Sequence, residues 1–333
     1  MVLVENYTLA VLLCILAMIC WGSWQNTQNL AGKKWRFELY YWDFILGIFL
    51  FSLIMAFTFG SFGSSGRPFS ADLKQAGVSH LASAALGGAI WNLGTLLLIA
   101  AISIAGMSVA FPVGGGIGWI LGIAVNYIGK PEGNPWILFG GSAVIVLAII
   151  FSMISYRKLA TAQHKTPLKG IVLSFAAGIL IAFFYRFVAS SLDTTFTPGE
   201  SGKITSYTAV VMFSLGAILS TFLFNPIFMR KPVQGEPVYF SDYFNGTGKA
   251  HFYGMLGGAI WCLGNSVSFM AVGSASPAIS YGLSNSAPVV AAIWGIFVWK
   301  EFREAPSGTG KWLVLMFICY LIGLGLIVYS RLG

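Results

Sequence analysis

Leu86-Gly-Gly-Ala-Ile-Trp91-Asn-Leu-Gly94 recurs as Leu256-Gly-Gly-Ala-Ile-Trp261-Cys-Leu-Gly264, with eight of nine residues identical. Each copy opens an apolar segment that leads through a tight connection into a second one. A loop containing Lys and Glu and a final apolar segment then follow. Working outward from these copies, runs of the roughly 20 apolar residues that a helix needs to cross a bilayer core occur ten times. They cover approximately 8–30, 40–60, 79–103, 107–128, 136–156, 168–190, 206–229, 252–273, 277–299 and 311–330. Gly, Pro and charged residues punctuate the breaks, and the connections near Ala105 and Ser274–Pro277 are short enough for helical hairpins. The repeat unit is therefore five spans, 1–160 and 161–333, although the first two spans of each unit align only loosely through Tyr41 and Tyr207. Five is odd, so the second unit must enter the membrane from the opposite side. The pattern predicts an all-α integral membrane protein of ten transmembrane helices in two inverted five-helix repeats, an architecture with its site at the midplane between repeats.

Composition points the same way. Hydrophobic residues make up 57% of the 333 and charged residues only 9%, with a mean hydropathy of +0.79. A soluble surface needs about a quarter of its residues charged. The net charge of +8 would suit nucleic acid, but the basic residues fall between apolar runs, where membrane orientation explains them and nucleic acid does not. One set of loops holds Lys33, Lys34, Arg36, Arg157, Lys158, Lys165, Lys169, Arg230, Lys231, Lys249, Lys300, Arg303 and Lys311; the other holds Arg67, Lys74, Lys130, Lys203 and Arg331. Thirteen against five makes the first set cytoplasmic, with both termini outside a plasma (inner) membrane. Glu5 before the first span, and Trp21-Gly-Ser-Trp24-Gln25 at its end, argue against a cleavable signal. Cys14, Cys20, Cys262 and Cys319 all lie inside apolar runs and read as packing residues, with no metal spacing.

Polar residues within the spans suggest a site. Trp21, Gln25 and Gln28 share a helical face at i, i+4 and i+7, and an amide facing lipid is costly; Trp24 stands beside them. Trp91 with Thr95 and Trp261 with Asn265 are i, i+4 pairs at equivalent places in the two copies, so inversion would set the two indoles across one cavity. Gly87-Gly88 and Gly257-Gly258 read as close helix contacts. The fourth span carries Phe111-Pro112-Val-Gly-Gly-Gly-Ile-Gly-Trp119 and the ninth carries Tyr281-Gly-Leu-Ser-Asn285-Ser-Ala-Pro288, both suggestive of kinks or unwound turns. The expected substrate contacts are thus Trp21, Trp24, Gln25, Gln28, Trp91, Thr95, Trp119, Trp261, Asn265, Tyr281 and Asn285. Spans five and ten are nearly free of polar residues and should lie at the periphery, against lipid or the second subunit of a homodimer.

Two charges qualify for coupling or gating. Asp43 reads either as a helix cap or ion-pair partner of Lys33 or Arg36, or as a proton-coupling carboxylate. Arg186 lies about 25 Å along span six at 1.5 Å per residue, free to reach outward, to bind Asp193 or to meet a carbonyl-rich solute. His80, His164 and His251 fall at span ends or in loops, which leaves a buried proton relay without support.

Gly22-Ser-Trp24, the basic loop to Arg36, Tyr40-Tyr-Trp-Asp43 and Ala56-Phe-Thr-Phe-Gly60 together resemble the start of the plant ureide permeases. Gly87-Gly88, Leu93-Gly94 and Gly106-Met-Ser-Val109 are similar to that family's third and fourth helices; the position after Gly94, often Asn there, is Thr95 here. Related bacterial glucose/ribose-uptake and rhamnose-symport families share the five-plus-five layout within the drug/metabolite transporter superfamily. The resemblance implies uptake of a small neutral hydrogen-bonding solute, coupled to protons or sodium. Trp, Tyr, Asn and Gln without clustered charge suit the same chemistry, and the amide content favours a sugar or nucleoside-like compound over a ureide or nucleobase. An exporter of lipophilic compounds would want a greasier cavity. An intramembrane enzyme would need a nucleophile–base pair or metal ligands inside the spans, and the sequence offers neither, nor any cofactor motif.

Overall fold

The computed structural model describes residues 1–32, 35–63, 65–105, 107–159, 168–194, 202–233 and 235–332. The chain forms fourteen α-helices and one short π-helix within these segments. Span one is α1 (Tyr7–Ser23) and α2 (Gln25–Ala31), and span two is α3 (Phe37–Phe57). After the short α4 (Phe69–Gln75) come α5 (Val78–Ala105), α6 (Met107–Gly129) and α7 (Pro135–Leu159). Spans six and seven are α8 (Leu168–Ser191) and α9 (Ser206–Arg230), followed by the short α10 (Phe240–Phe244). Span eight is α11 (Gly248–Ala275); span nine is α12 (Pro277–Ser284), α13 (Pro288–Ile293) and the π-helix Trp294–Val298; span ten is α14 (Thr309–Tyr329). Nine of these spans are long and apolar enough to cross a membrane, and Val113–Gly129 of α6 is a shorter apolar stretch. Lys33, Lys34, Gly106, His164 and Lys165, with the rest of 160–167, lie outside the described residues.

The repeated glycines set the closest crossings. A Cβ on Gly88 would stand 1.9 Å from the Phe213 carbonyl oxygen of α9, and one on Gly258 would stand 2.0 Å from that of Phe44 on α3. Only glycine lets either pair of backbones meet. The packing partners also exchange between copies. Helix α5 packs on α8 and α9, whereas α11 packs on span one and α3. Helices α7 and α14 pack mainly on each other, with Gly141 and Gly323 in close contact.

Two spans are broken, and the breaks face each other. Span one was expected to run on as one helix but turns at Trp24, where Asn26 Nδ2 donates to the Ser23 carbonyl and Thr27 Oγ1 to the Trp24 carbonyl. The Trp24 carbonyl also accepts the Thr27 N–H at 3.0 Å, a tightened i+3 bond at the interruption. Span nine stops at Ser284 because Pro288 has no N–H to continue the ladder, and Ser286 Oγ donates back to the Gly282 carbonyl. A Cβ on Gly22 would lie 2.7 Å from the Ala287 carbonyl oxygen, so the turn of span nine sits on the end of α1. Span four shows no unwound turn: α6 is one continuous helix through Pro112.

Contacts between loops define two ends of the bundle. At the end carrying most basic loops, Arg36 meets the Glu236 carbonyl, Trp35 meets His251, and Trp299 Nε1 donates to Asn26 Oδ1 at 2.6 Å. The opposite end is tightly laced. Its Arg67 bridges Asp72 at 2.9 Å and Asp193 at 2.7 Å, the Met1 ammonium donates to the Ser65 carbonyl, and the Asn134 N–H donates to the Ser330 carbonyl. Burial opposes the Arg67 charge, but hydrogen bonds and attraction from the two carboxylates raise its pKa above the usual arginine value.

Candidate functional site

A cavity of about 180 Å³ opens between the two breaks and the repeated helices. Trp21, Trp24 and Gln25 come from span one, Trp91, Thr95 and Leu98 from α5, and Trp119 from α6. Trp261 of α11 and Tyr281 and Asn285 of span nine complete its polar and aromatic wall. The twin indoles meet directly: the rings of Trp91 and Trp261 are 4.1 Å apart, and Trp21 stacks on Trp261 at 5.7 Å. Their ring N–H groups need partners in a dry interior. Trp21 Nε1 donates to the Trp261 carbonyl and Trp119 Nε1 to the Gly282 carbonyl, each at 3.1 Å. The Trp119 bond is possible because span nine unwinds beyond Ser284. Tyr281, fully buried, donates its hydroxyl to the Gly118 carbonyl at 2.7 Å.

Nine of the eleven expected contacts therefore line one cavity. Gln28 and Asn265 do not. Gln28 lies on α2, half-buried and outside this lining. Asn265 is completely buried away from the cavity, with neither amide atom hydrogen-bonded. Conversely, spans five and ten are not wholly peripheral. Ile145 and Ile149 of α7 and Tyr320 of α14 close part of the wall, as do Ile181 and Phe184 of α8. The outward face of α14 still agrees with the expectation, with Leu321 73% exposed.

The cavity's polar groups are neutral and available. Among the described residues, the Gln25 amide and the Thr95 hydroxyl have no protein hydrogen bond, and Asn285 spends only Nδ2, on the Tyr281 carbonyl at 3.1 Å. No ionisable carboxylate or amine lines the space. A volume below the roughly 300–1,000 Å³ of drug-sized sites suits a small solute. Its walls offer indole faces for stacking and a few hydrogen bonds for orientation. Around Gln25, Ile102 and Ala291 the cavity lies toward the end of the bundle that carries the basic loops, and Ile99 is shared with a second cavity of about 340 Å³ beside Arg36, Phe228 and Val233.

Asp43 sits behind this wall and has a different environment from either one expected. It lies inside α3 rather than at its cap, Arg36 pairs with Glu38, and Lys33 is outside the described residues. The carboxylate, 2% exposed, accepts the Tyr243 hydroxyl at 2.6 Å and meets His251 Nδ1 at 2.9 Å. His251 is thus brought to a buried acid after all, by the packing of α11 on α3 that Gly254 and Gly258 permit. Burial and the adjacent carboxylate hold the Tyr243 phenol above its ordinary pKa, so it stays a donor. Phe44, next to Asp43, packs at 4.5 Å on Trp24 of the cavity, and Tyr40 Oη shares a 2.7 Å hydrogen bond with Thr27. Arg186 does not reach Asp193, which Arg67 occupies; its guanidinium packs against Gly129 at the end of α6.

Spans long enough to cross a bilayer and a neutral aromatic cavity set between interrupted helices suit the class that comparison with known families gives, a multi-pass membrane transporter. The family model described as ureide permease matches residues 40–166 and 153–330. The chain belongs to the ureide permease family, whose members are permeases and not enzymes. It is 24% identical to Ureide permease 1 and 23% identical to Ureide permease 2 of Arabidopsis thaliana, each alignment covering 99% of both chains. It is also 24% identical to the "Probable glucose uptake protein GlcU" of Staphylococcus aureus, over 70% of this chain and 73% of that one. A crystal structure at 15% identity superposes with a TM-score of 0.60, covering 96% of this chain and 97% of its own, a likeness of fold. The protein is accordingly a membrane uptake transporter for a small-molecule solute.

Proposed function

We propose that the protein is a secondary active uptake permease for a small neutral polar solute, a sugar or nucleoside-like compound, held against the paired indoles of Trp91 and Trp261. The observation that carries this reading is the cavity itself, where stacked indoles stand beside the Gln25 amide, the Thr95 hydroxyl and the Asn285 side-chain carbonyl, none of them hydrogen-bonded within the protein, with no charged residue in the lining. A sugar ring would lay its C–H face on indole and spend its hydroxyls on those groups. A ureide or nucleobase is the second reading, favoured by the full-length match to ureide permeases and by the same stacking. Uptake of labelled sugar, nucleoside, nucleobase and ureide into proteoliposomes separates them; no uptake of any neutral solute would refute both.

The two halves, 1–160 and 161–333, are read as inverted repeats; what supports this is the exchange of packing partners between α5 and α11. Orientation follows the basic loops, with both termini outside the plasma membrane and the cavity mouth toward the cytoplasm. Asp43, bonded to Tyr243 and His251, is the proposed proton-coupling carboxylate, linked to the site through Phe44 and Trp24. Arg186, at the far end of α8, is the proposed gating residue there. A proton is favoured over sodium because a carboxylate–imidazole pair holds protons readily.

A further inference from the structure

Helices α5 and α9 touch at one end and part at the other. A Cβ on Gly88 would stand 1.9 Å from the Phe213 carbonyl oxygen, and one on Gly216 would stand 1.8 Å from that of Ala85. Farther along, Asn92 Nδ2 donates to Ser220 Oγ at 2.8 Å, and Thr221 Oγ1 donates to Asn92 Oδ1 at 3.3 Å. Beyond those bonds α9 is held to α3 instead, where Asn225 Nδ2 donates to the Glu38 carbonyl at 2.9 Å. The parting leaves the second cavity, about 340 Å³, against Leu96, Ile99, Ala100 and Ser103 of α5, Phe228 of α9, and Val233. It is larger than the solute cavity and chemically its opposite. The one hydroxyl among those side chains, Ser103 Oγ, is already spent on the Ala100 carbonyl at 2.8 Å.

A neutral polar solute would give up its water in this groove without gaining a hydrogen bond. A hydrocarbon chain loses nothing by entering, and it fills space whose walls otherwise forfeit contacts. Charge enters only at the end that carries the basic loops. There Arg36 and Glu38, paired with each other, form the rim. Arg230 and Lys231, which lead from α9 to Val233, are exposed, and their side chains have no hydrogen bond or ion pair among the described residues. Unspent cations at a membrane boundary attract anionic headgroups. We propose that the groove is a binding site for one anionic phospholipid of the leaflet on the basic-loop side, with an acyl chain between α5 and α9 and the phosphate on Arg230 and Lys231. Ile99 lines both cavities, so the chain braces the wall of the solute cavity from behind. The site is independent of which solute the transporter carries.

Native mass spectrometry of the delipidated protein counts bound lipid directly. Dioleoyl phosphatidylglycerol and dioleoyl phosphatidylcholine, which share their acyl chains, are titrated separately in detergent. One phosphatidylglycerol should bind ahead of all others, about ten- to thirtyfold tighter than phosphatidylcholine, the worth of two cations at the membrane boundary. Arg230→Gln with Lys231→Gln, both at exposed positions, should bring the two lipids to within about threefold of each other. Ala100→Phe, which fills the groove, should remove the tightly held phosphatidylglycerol altogether. Equal binding of the two lipids by the wild type would overturn the proposal. So would a preference that survives the double substitution, or tight binding retained by a folded Ala100→Phe protein. The double substitution decides by itself where Ala100→Phe gives no folded protein.

Discussion

The same helix face, written twice, meets opposite fates. After Trp91 it looks into an open cavity lined by Thr95 and Leu98; after Trp261 it is packed shut around Asn265 and Ser268. The open side carries the more apolar pair, and the shut side carries the amide and hydroxyl. Ser268 is paired with Tyr185, whereas neither amide atom of Asn265 has a partner, at a cost of about 1–3 kcal/mol.

The strongest way to break this comparison is to remove the crossings that both copies share. Gly258→Val would drive a side chain into the Phe44 carbonyl, and Gly88→Val would do the same at Phe213. Each should cost about 4–5 kcal/mol or more and abolish folded protein, read as loss of a monodisperse peak in detergent. Gly140→Ala, with nothing within 4 Å of the new Cβ, should leave that peak unchanged. Next comes coupling: in Asp43→Asn, accumulation of solute against its gradient should disappear while exchange of labelled for unlabelled solute survives. Unchanged accumulation would make the Asp43–His251–Tyr243 cluster a structural tie between α3, α10 and α11. Smaller again is binding on the open side. Trp24→Ala, Gln25→Ala and Asn285→Ala should each weaken solute affinity about ten- to a hundredfold, the worth of one stacking or hydrogen-bonding partner at roughly 1–3 kcal/mol. Gln28→Ala, outside the cavity, should change affinity least, by under threefold in the same titration.

Much of this fold was legible because its signals are local. Length and hydropathy mark the spans, and a nine-residue repeat marks the glycine crossings and the twin indoles. Pro288 with Ser284 and Asn285 announced the break in span nine. The interruption at Trp24 was not legible, since Gly22-Ser23-Trp24 contains no proline and Trp24 itself stays helical. His251 escaped because its partner Asp43 lies 208 residues away, and only the packing of α11 on α3 joins them. Ile145 and Ile149 escaped because a search for polar residues cannot find apolar cavity walls, and Tyr320, whose hydroxyl has no hydrogen-bond partner, was passed over in a span read as nearly all apolar. Asn265 was expected among the substrate contacts, but sequence carries no sign of which copy of the repeated face lies open.

The central claim is that solute binds against the indole of Trp261, where the two copies meet. Saturable uptake of the best solute into proteoliposomes should be compared between wild type and Trp261→Ala, with equal amounts of folded protein. The account predicts that Trp261→Ala raises the half-saturating concentration about ten- to a hundredfold. Wild-type half-saturation in that variant would mean that the solute binds elsewhere.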